Sequence, residues 1–175
     1  MDAPQEPRWL DAEEGQAWLA LASTLIRLPS ALDAQLHRDV GISHYEYQVL
    51  AMLSQEPDRT LRMSVLATRT EGSLPRLSQV AARLEQRGWV RRIPDPADGR
   101  YTLAILTGEG WAKVAEAAPG HVEEVRHLVF DPLTKAQSRQ LREICRRIMR
   151  AIDQDDHCLD DQPLPAPREP ARPGE

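Results

Sequence analysis

The chain has 175 residues, 28% charged and 41% hydrophobic, with a net charge of −5. That is enough for one core plus tails, so wholesale disorder is excluded, and no apolar run approaches the ~18 residues of a membrane span. The opening MDAPQEPRWLDAEEG is acidic without an apolar core, so no secretory signal is expected, and two cysteines form neither a CxxC pair nor a disulfide framework.

Residues 1–12 read as a loose, Pro-containing arm. From Glu13 an apolar pattern runs through Trp18, Leu21, Leu25, Leu28, Leu32 and Leu36 at three- and four-residue steps. Acidic Glu13 and Glu14 suit the positive end of a helix dipole. Pro29 predicts a kink or break near Leu28, and Gly41 ends the segment. Ser43 and Glu46 then form a capping box for a second helix through Leu53. Thr60-Leu61-Arg62 fits a very short strand. Met63 to Thr70 fits a short helix with Met63, Leu66 and Ala67 inward.

Ser73 is an N-cap candidate for a fourth helix. Pro75 falls in its first turn, where its missing N–H costs nothing. Leu77, Val80, Ala81 and Leu84 give that helix one apolar face, and Gly88 ends it. The period then falls to two, which predicts strands over 89–93 and 101–106 joined through an Asp98-Gly99 turn. Thr107 and Gly108 open a fifth helix, interrupted or kinked at Pro119-Gly120. Thr134 and Gln137 cap a sixth, with Leu141, Ile144, Cys145, Ile148 and Ile152 on one face. Residues 153–175, with seven acids and five Pro, are expected to be disordered.

Helix, helix, short strand, helix, helix, hairpin is the order of a winged helix-turn-helix. Charge favours a nucleic-acid reading: residues 62–107 hold eight Arg against four acids, a net of +4, so the rest of the chain carries −9. Arg76, Gln79 and Arg83 share the polar face of the fourth helix, and Ser73 leaves N–H groups there for a phosphate. Arg100, just after the hairpin turn, suits a narrow minor groove.

Two stretches, SLPRLSQVAARLEQRGWVRR at 73–92 and DPADGRYTLAILT at 95–107, resemble the recognition helix and wing of the MarR family of bacterial transcription regulators. The resemblance covers about 13–152. It implies a mainly α fold with a small β wing and flanking dimerisation helices (residues 13–42 and 108–152) around a DNA-binding module (43–107). It implies that Arg100 is the wing-tip arginine, Asp98 its brace and Arg76 a DNA-facing residue. Pro75 departs from the pattern by removing a donor. It further implies a cytoplasmic homodimeric repressor on a pseudo-palindrome, joined through Leu21, Leu25, Leu28, Leu32, Leu141, Cys145, Ile148 and Ile152. A small aromatic or phenolic ligand would bind between dimerisation helices and wing module, with Trp18, Tyr47 and Trp111 as candidate lining, and would change the recognition-helix spacing away from one DNA turn.

No cofactor, metal or catalytic motif is found. His121 and His127 stand six apart on a helix, poorly aligned as ligands, and read as a solvated face with Glu124. Cys145 reads as a small buried hydrophobe, and Cys158 has no basic neighbour to activate it, which disfavours a redox sensor. The rival reading is a winged-helix module that binds protein instead of DNA.

Overall fold

The computed structural model describes residues 7–152; the first half of the N-terminal arm and the acidic segment 153–175 lie outside the described residues. Helix α1 spans Ala12–Val40, α2 His44–Gln55, α3 Met63–Arg69 and α4 Leu74–Gln86. Strand β1 is Thr60–Arg62, β2 Val90–Asp95 and β3 Asp98–Leu106. Helix α5 is Gly108–Val125 and α6 Lys135–Ile152.

The helix starts follow from capping chemistry. Asp11 and Glu14 exchange side-chain-to-backbone bonds of 2.9 and 3.0 Å, a box one residue earlier than the acids alone suggested. Ser43 with Glu46 and Thr134 with Gln137 cap α2 and α6 as read from sequence. Thr107 Oγ1 accepts the Gly110 N–H at 3.0 Å and opens α5.

Three expectations need correction. Of the kink or break expected at Pro29, the break does not occur: helix α1 continues through it. Ser30 Oγ donates to the Ile26 carbonyl at 3.1 Å, beside the carbonyl that Pro29 cannot serve. Helix α5 likewise continues through Pro119-Gly120; its irregularity comes later, as a π-helical turn over Arg126–Phe130 closed by Asp131 N to Arg126 O at 2.8 Å. The hairpin turn is Pro96-Ala97, not Asp98-Gly99. Asp95 Oδ1 accepts the Ala97 N–H at 2.9 Å, so an Asx turn closes the hairpin and frees Asp98 to begin β3.

The three strands form one antiparallel sheet in the order β1-β3-β2, with Leu61 opposite Ala104 and Arg92 also opposite Ala104. Beneath it lies the core of the wing module. Leu50, Leu53, Leu66, Leu77, Ala81 and Leu84 are fully buried, so α2, α3 and α4 are held on one apolar cluster. Gly88, at φ 74°, turns the chain from α4 into the sheet as only glycine does readily. A smaller cluster of Leu36, Ile42 and Ala117 joins the C-terminal end of α1 and the middle of α5 to this module.

Helix α6 is different. Among the described residues it buries none against its own chain.

Candidate nucleic-acid interface

Helix α4 and the wing present the residues singled out by sequence on one side of the core. Ser73 Oγ accepts the Arg76 N–H at 3.4 Å, and Pro75 sits in that first turn. Leu77, Val80 and Ala81 face inward, which leaves Arg76, Gln79 and Arg83 exposed at helical spacing.

The two helix arginines are held differently. Arg83 Nε lies 3.5 Å from Glu46 Oε1, a buried carboxylate of α2. Arg76 has no carboxylate partner among the described residues. Its guanidinium lies over the Tyr45 ring at 4.2 Å. Tyr45 is itself fixed. It is buried, its hydroxyl is 3.1 Å from Thr70 Oγ1, and a Cβ added at Gly72 would stand 2.0 Å from that hydroxyl. Gly72 is therefore needed for close approach, and Tyr45 ties α2 to the α3–α4 turn.

At the wing, Arg100 Nη2 donates to Asp98 Oδ2 at 2.7 Å and Nε to Oδ1 at 3.0 Å. The Arg100 side chain is nonetheless 84% exposed. The hydrogen bonds from the Arg100 guanidinium and backbone hold the Asp98 carboxyl below its ordinary range, so it stays ionised. The pair fixes a cation at the hairpin tip without covering it. Between α4 and the wing lies a groove of about 230 Å³, which Ser64, Ser78, Arg92, Arg100 and Thr102 help to line. Hydroxyl donors beside arginines suit an oxyanion such as a phosphate. Ser64, Ser78 and Thr102 were not found from sequence; period-three spacing places Ser78 on a helix but cannot place it opposite a hairpin.

A larger cleft, about 520 Å³, opens where α1 meets α2 and the α3–α4 turn. Pro29, Asp33, His44, Tyr45, Gln48 and Arg76 are among its lining. Trp18, Tyr47 and Trp111, the candidate ligand lining, are not part of it. Tyr45 and Tyr47 stand two apart, about 200° around a helix, so only one can face the cleft. Tyr47 instead packs on His121 of α5, ring centroids 4.5 Å apart, and Trp111 lies under the Arg59 guanidinium at 4.5 Å. Trp18 is 55% exposed on α1.

His121 also departs from its reading as part of a solvated face. It is buried between α1 and α5, with Nδ1 3.4 Å from Gln35 Oε1. Burial, aided by neighbouring His44, lowers its pKa to about 4.

The apolar rows meant for a partner divide. Leu32 is buried within its own chain, and Leu21 and Leu28 are half-buried. The lower turns of α1 pack on α2 and α5, and this consumes them. Leu25 stays exposed, as do Leu19 and Ile26, a second seven-residue pair that sequence reading missed. On α6, Leu141, Ile148 and Ile152 are exposed, and Cys145 is exposed instead of buried in the single chain. No described helix is long and apolar enough to cross a membrane.

Residues 40–100 match the model of the MarR family. The fold is similar to Sco3205, a MarR family transcriptional regulator from Streptomyces coelicolor solved in complex with DNA: TM-score 0.82 and 43% identity, covering 88% of this chain and 97% of that one. AbsC, another MarR family transcriptional regulator from Streptomyces coelicolor, gives a TM-score of 0.79 and 32% identity over 83% and 98% of the two chains. The transcriptional repressor MprA of Escherichia coli (strain K12) is 25% identical over 114 residues, 65% of this chain. The match spans 64% of that repressor, just under two thirds of its length.

Proposed function

This chain belongs to the MarR family, and from that premise we propose that it is a homodimeric, sequence-specific regulator of transcription that binds double-stranded DNA in a bacterial cytoplasm. One observation carries the reading: an arginine 84% exposed at the wing tip, held in place by Asp98, beside a helix that exposes Arg76, Gln79 and Arg83. The groove lined by Ser64, Ser78 and Arg100 gives phosphate oxygens their donors, while α4 offers Gln79 to base edges. Arg100 is then the minor-groove contact. The likeness to a regulator solved with DNA supports this assignment at 43% identity.

The second copy is argued from α6. An 18-residue amphipathic helix with no fully buried residue in its own chain needs a partner for its apolar stripe. Leu25 of α1 with Leu141, Cys145, Ile148 and Ile152 of α6 supplies that surface. Two recognition helices on two half-sites, one DNA turn or about 34–36 Å apart, follow from twofold symmetry. Repression by occlusion of the operator follows the naming of the relative MprA as a repressor. The cleft at the α1–α2 junction is the effector site, and its Arg76 selects a small aromatic or phenolic anion.

Selection of duplexes from a random library, followed by fluorescence anisotropy at several salt concentrations, tests the DNA reading. Enrichment of an inverted repeat, with log Kd rising linearly with log salt, is expected. Recovery of no preferred sequence, or an affinity indifferent to salt, would favour the protein-binding module instead.

A further inference from the structure

We propose that Arg76 is contested: its guanidinium serves the DNA backbone or an aromatic carboxylate seated in the α1–α2 cleft, but not both, so an occupied cleft withdraws a recognition-helix contact directly. This rests on the DNA and effector readings above and adds the route between them.

The geometry that points to it is the position of one side chain. Arg76 belongs to the first turn of α4 and also lines the cleft. Its backbone is fixed, with the Arg76 N–H on Ser73 Oγ. The flexible part is the side chain, which rests over the Tyr45 ring. That ring is an immobile shelf, because Thr70 and Gly72 hold its hydroxyl end.

The cleft also holds two carboxylates, Asp33 and Glu71, and the arginines near it are engaged to different degrees. Arg69, the other cation of the cleft, pairs with Glu56. Asp33 Oδ1 accepts the His44 N–H at 2.7 Å. Arg83, one helical turn further along α4, is drawn to Glu46. Arg76 alone among these arginines lacks a carboxylate among the described residues, so an incoming anion meets an unneutralised guanidinium. Pro29, Met52 and the Tyr45 ring supply flat apolar walls for an aromatic group. A carboxylate held there is partly withdrawn from water, which strengthens its bidentate pairing with arginine over a solvated phosphate contact. By linkage, DNA must weaken the carboxylate as much as the carboxylate weakens DNA.

The test places the anion in the cleft covalently. Gln48 lines the cleft, so Gln48→Cys in a Cys145→Ser, Cys158→Ser background, treated with 5,5′-dithiobis(2-nitrobenzoate), tethers a thionitrobenzoate there. Met52→Cys repeats the measurement from a second wall position. The duplex is the one enriched in the selection above, and reduction of the label restores the starting state. Labelling is expected to weaken DNA binding by about tenfold and to make log Kd against log salt shallower by about one, the signature of one lost phosphate contact. In an Arg76→Ala background the label should change neither. An equal loss with and without Arg76 would overturn the proposal while leaving the cleft as an effector site that acts through half-site spacing. Full affinity in the labelled protein that retains Arg76 would remove the effector reading of the cleft, and this inference with it.

Discussion

Arg62 of β1 holds Asp95 of the hairpin turn through two donors, Nε and Nη2, each 2.7 Å from the same carboxylate oxygen. The other Asp95 oxygen accepts the Ala97 N–H, and Arg62 also lies over the Tyr101 ring at 4.5 Å. Arg62 thus fixes the turn of the wing to the strand that follows α2. Arg62→Met should leave the helices intact and loosen the hairpin. Hydrogen exchange at Ala97 should accelerate by about tenfold or more relative to core amides of α2. Unchanged protection there would show that Asp95 needs no arginine to shape the turn.

Arg100 and Gln79 should fail differently. Arg100→Ala should weaken binding to operator and to A·T-rich non-operator DNA alike, with a salt slope shallower by about one. Gln79→Ala should cost roughly 1–3 kcal/mol on the enriched duplex and almost nothing on scrambled DNA. Asp98→Ala should resemble a milder Arg100 change, because it removes a brace and leaves the cation. Anisotropy of the three variants on both duplexes measures this, and wild-type affinity for Arg100→Ala on both would remove the wing from the mechanism.

Ile148→Asp places a carboxylate on the exposed apolar row of α6. If that row meets a second copy, the variant should be a monomer or an aggregate by light scattering, since apolar interfaces of obligate dimers tolerate an unpaired charge poorly. A monodisperse dimer would move the interface elsewhere.

The buried His121 predicts acid sensitivity. Its folded pKa of about 4 lies below the ordinary 6.5, so the unfolded chain takes up the proton first. Stability should be full above about pH 6.5 and fall as pH drops toward 4, by about 1.4 kcal/mol per pH unit at its steepest for one proton. His44, lowered by burial against the raising effect of Asp33, acts in the same direction. Urea unfolding of wild type and His121→Gln between pH 7 and 4 checks the sign; an equal fall in both would assign the acid loss to other groups.

Much of this was legible in the chain itself. Capping pairs three apart, such as Ser43 with Glu46, mark helix starts because the partners are local. Period three-to-four against period two separates α4 from the wing for the same reason. Asp98 and Arg100 stand two apart on one strand, so their pairing could be read directly.

Only the fold decided which face meets what. Tyr45 and Tyr47 look alike in sequence, yet a two-residue step on a helix sends one to the cleft beneath Arg76 and the other to His121. Leu32 and Leu25 share a seven-residue row, but packing of the lower turns of α1 against α5 buries the first and leaves the second exposed. Proline in α1 and α5 predicted a kink or a break, and both helices continue through it. Arg62 and Asp95 lie 33 residues apart and meet because β1 joins β3 on the side opposite β2. Local chemistry is written at spacings of two to four residues. Contacts across dozens of residues depend on chain topology, which no local spacing encodes.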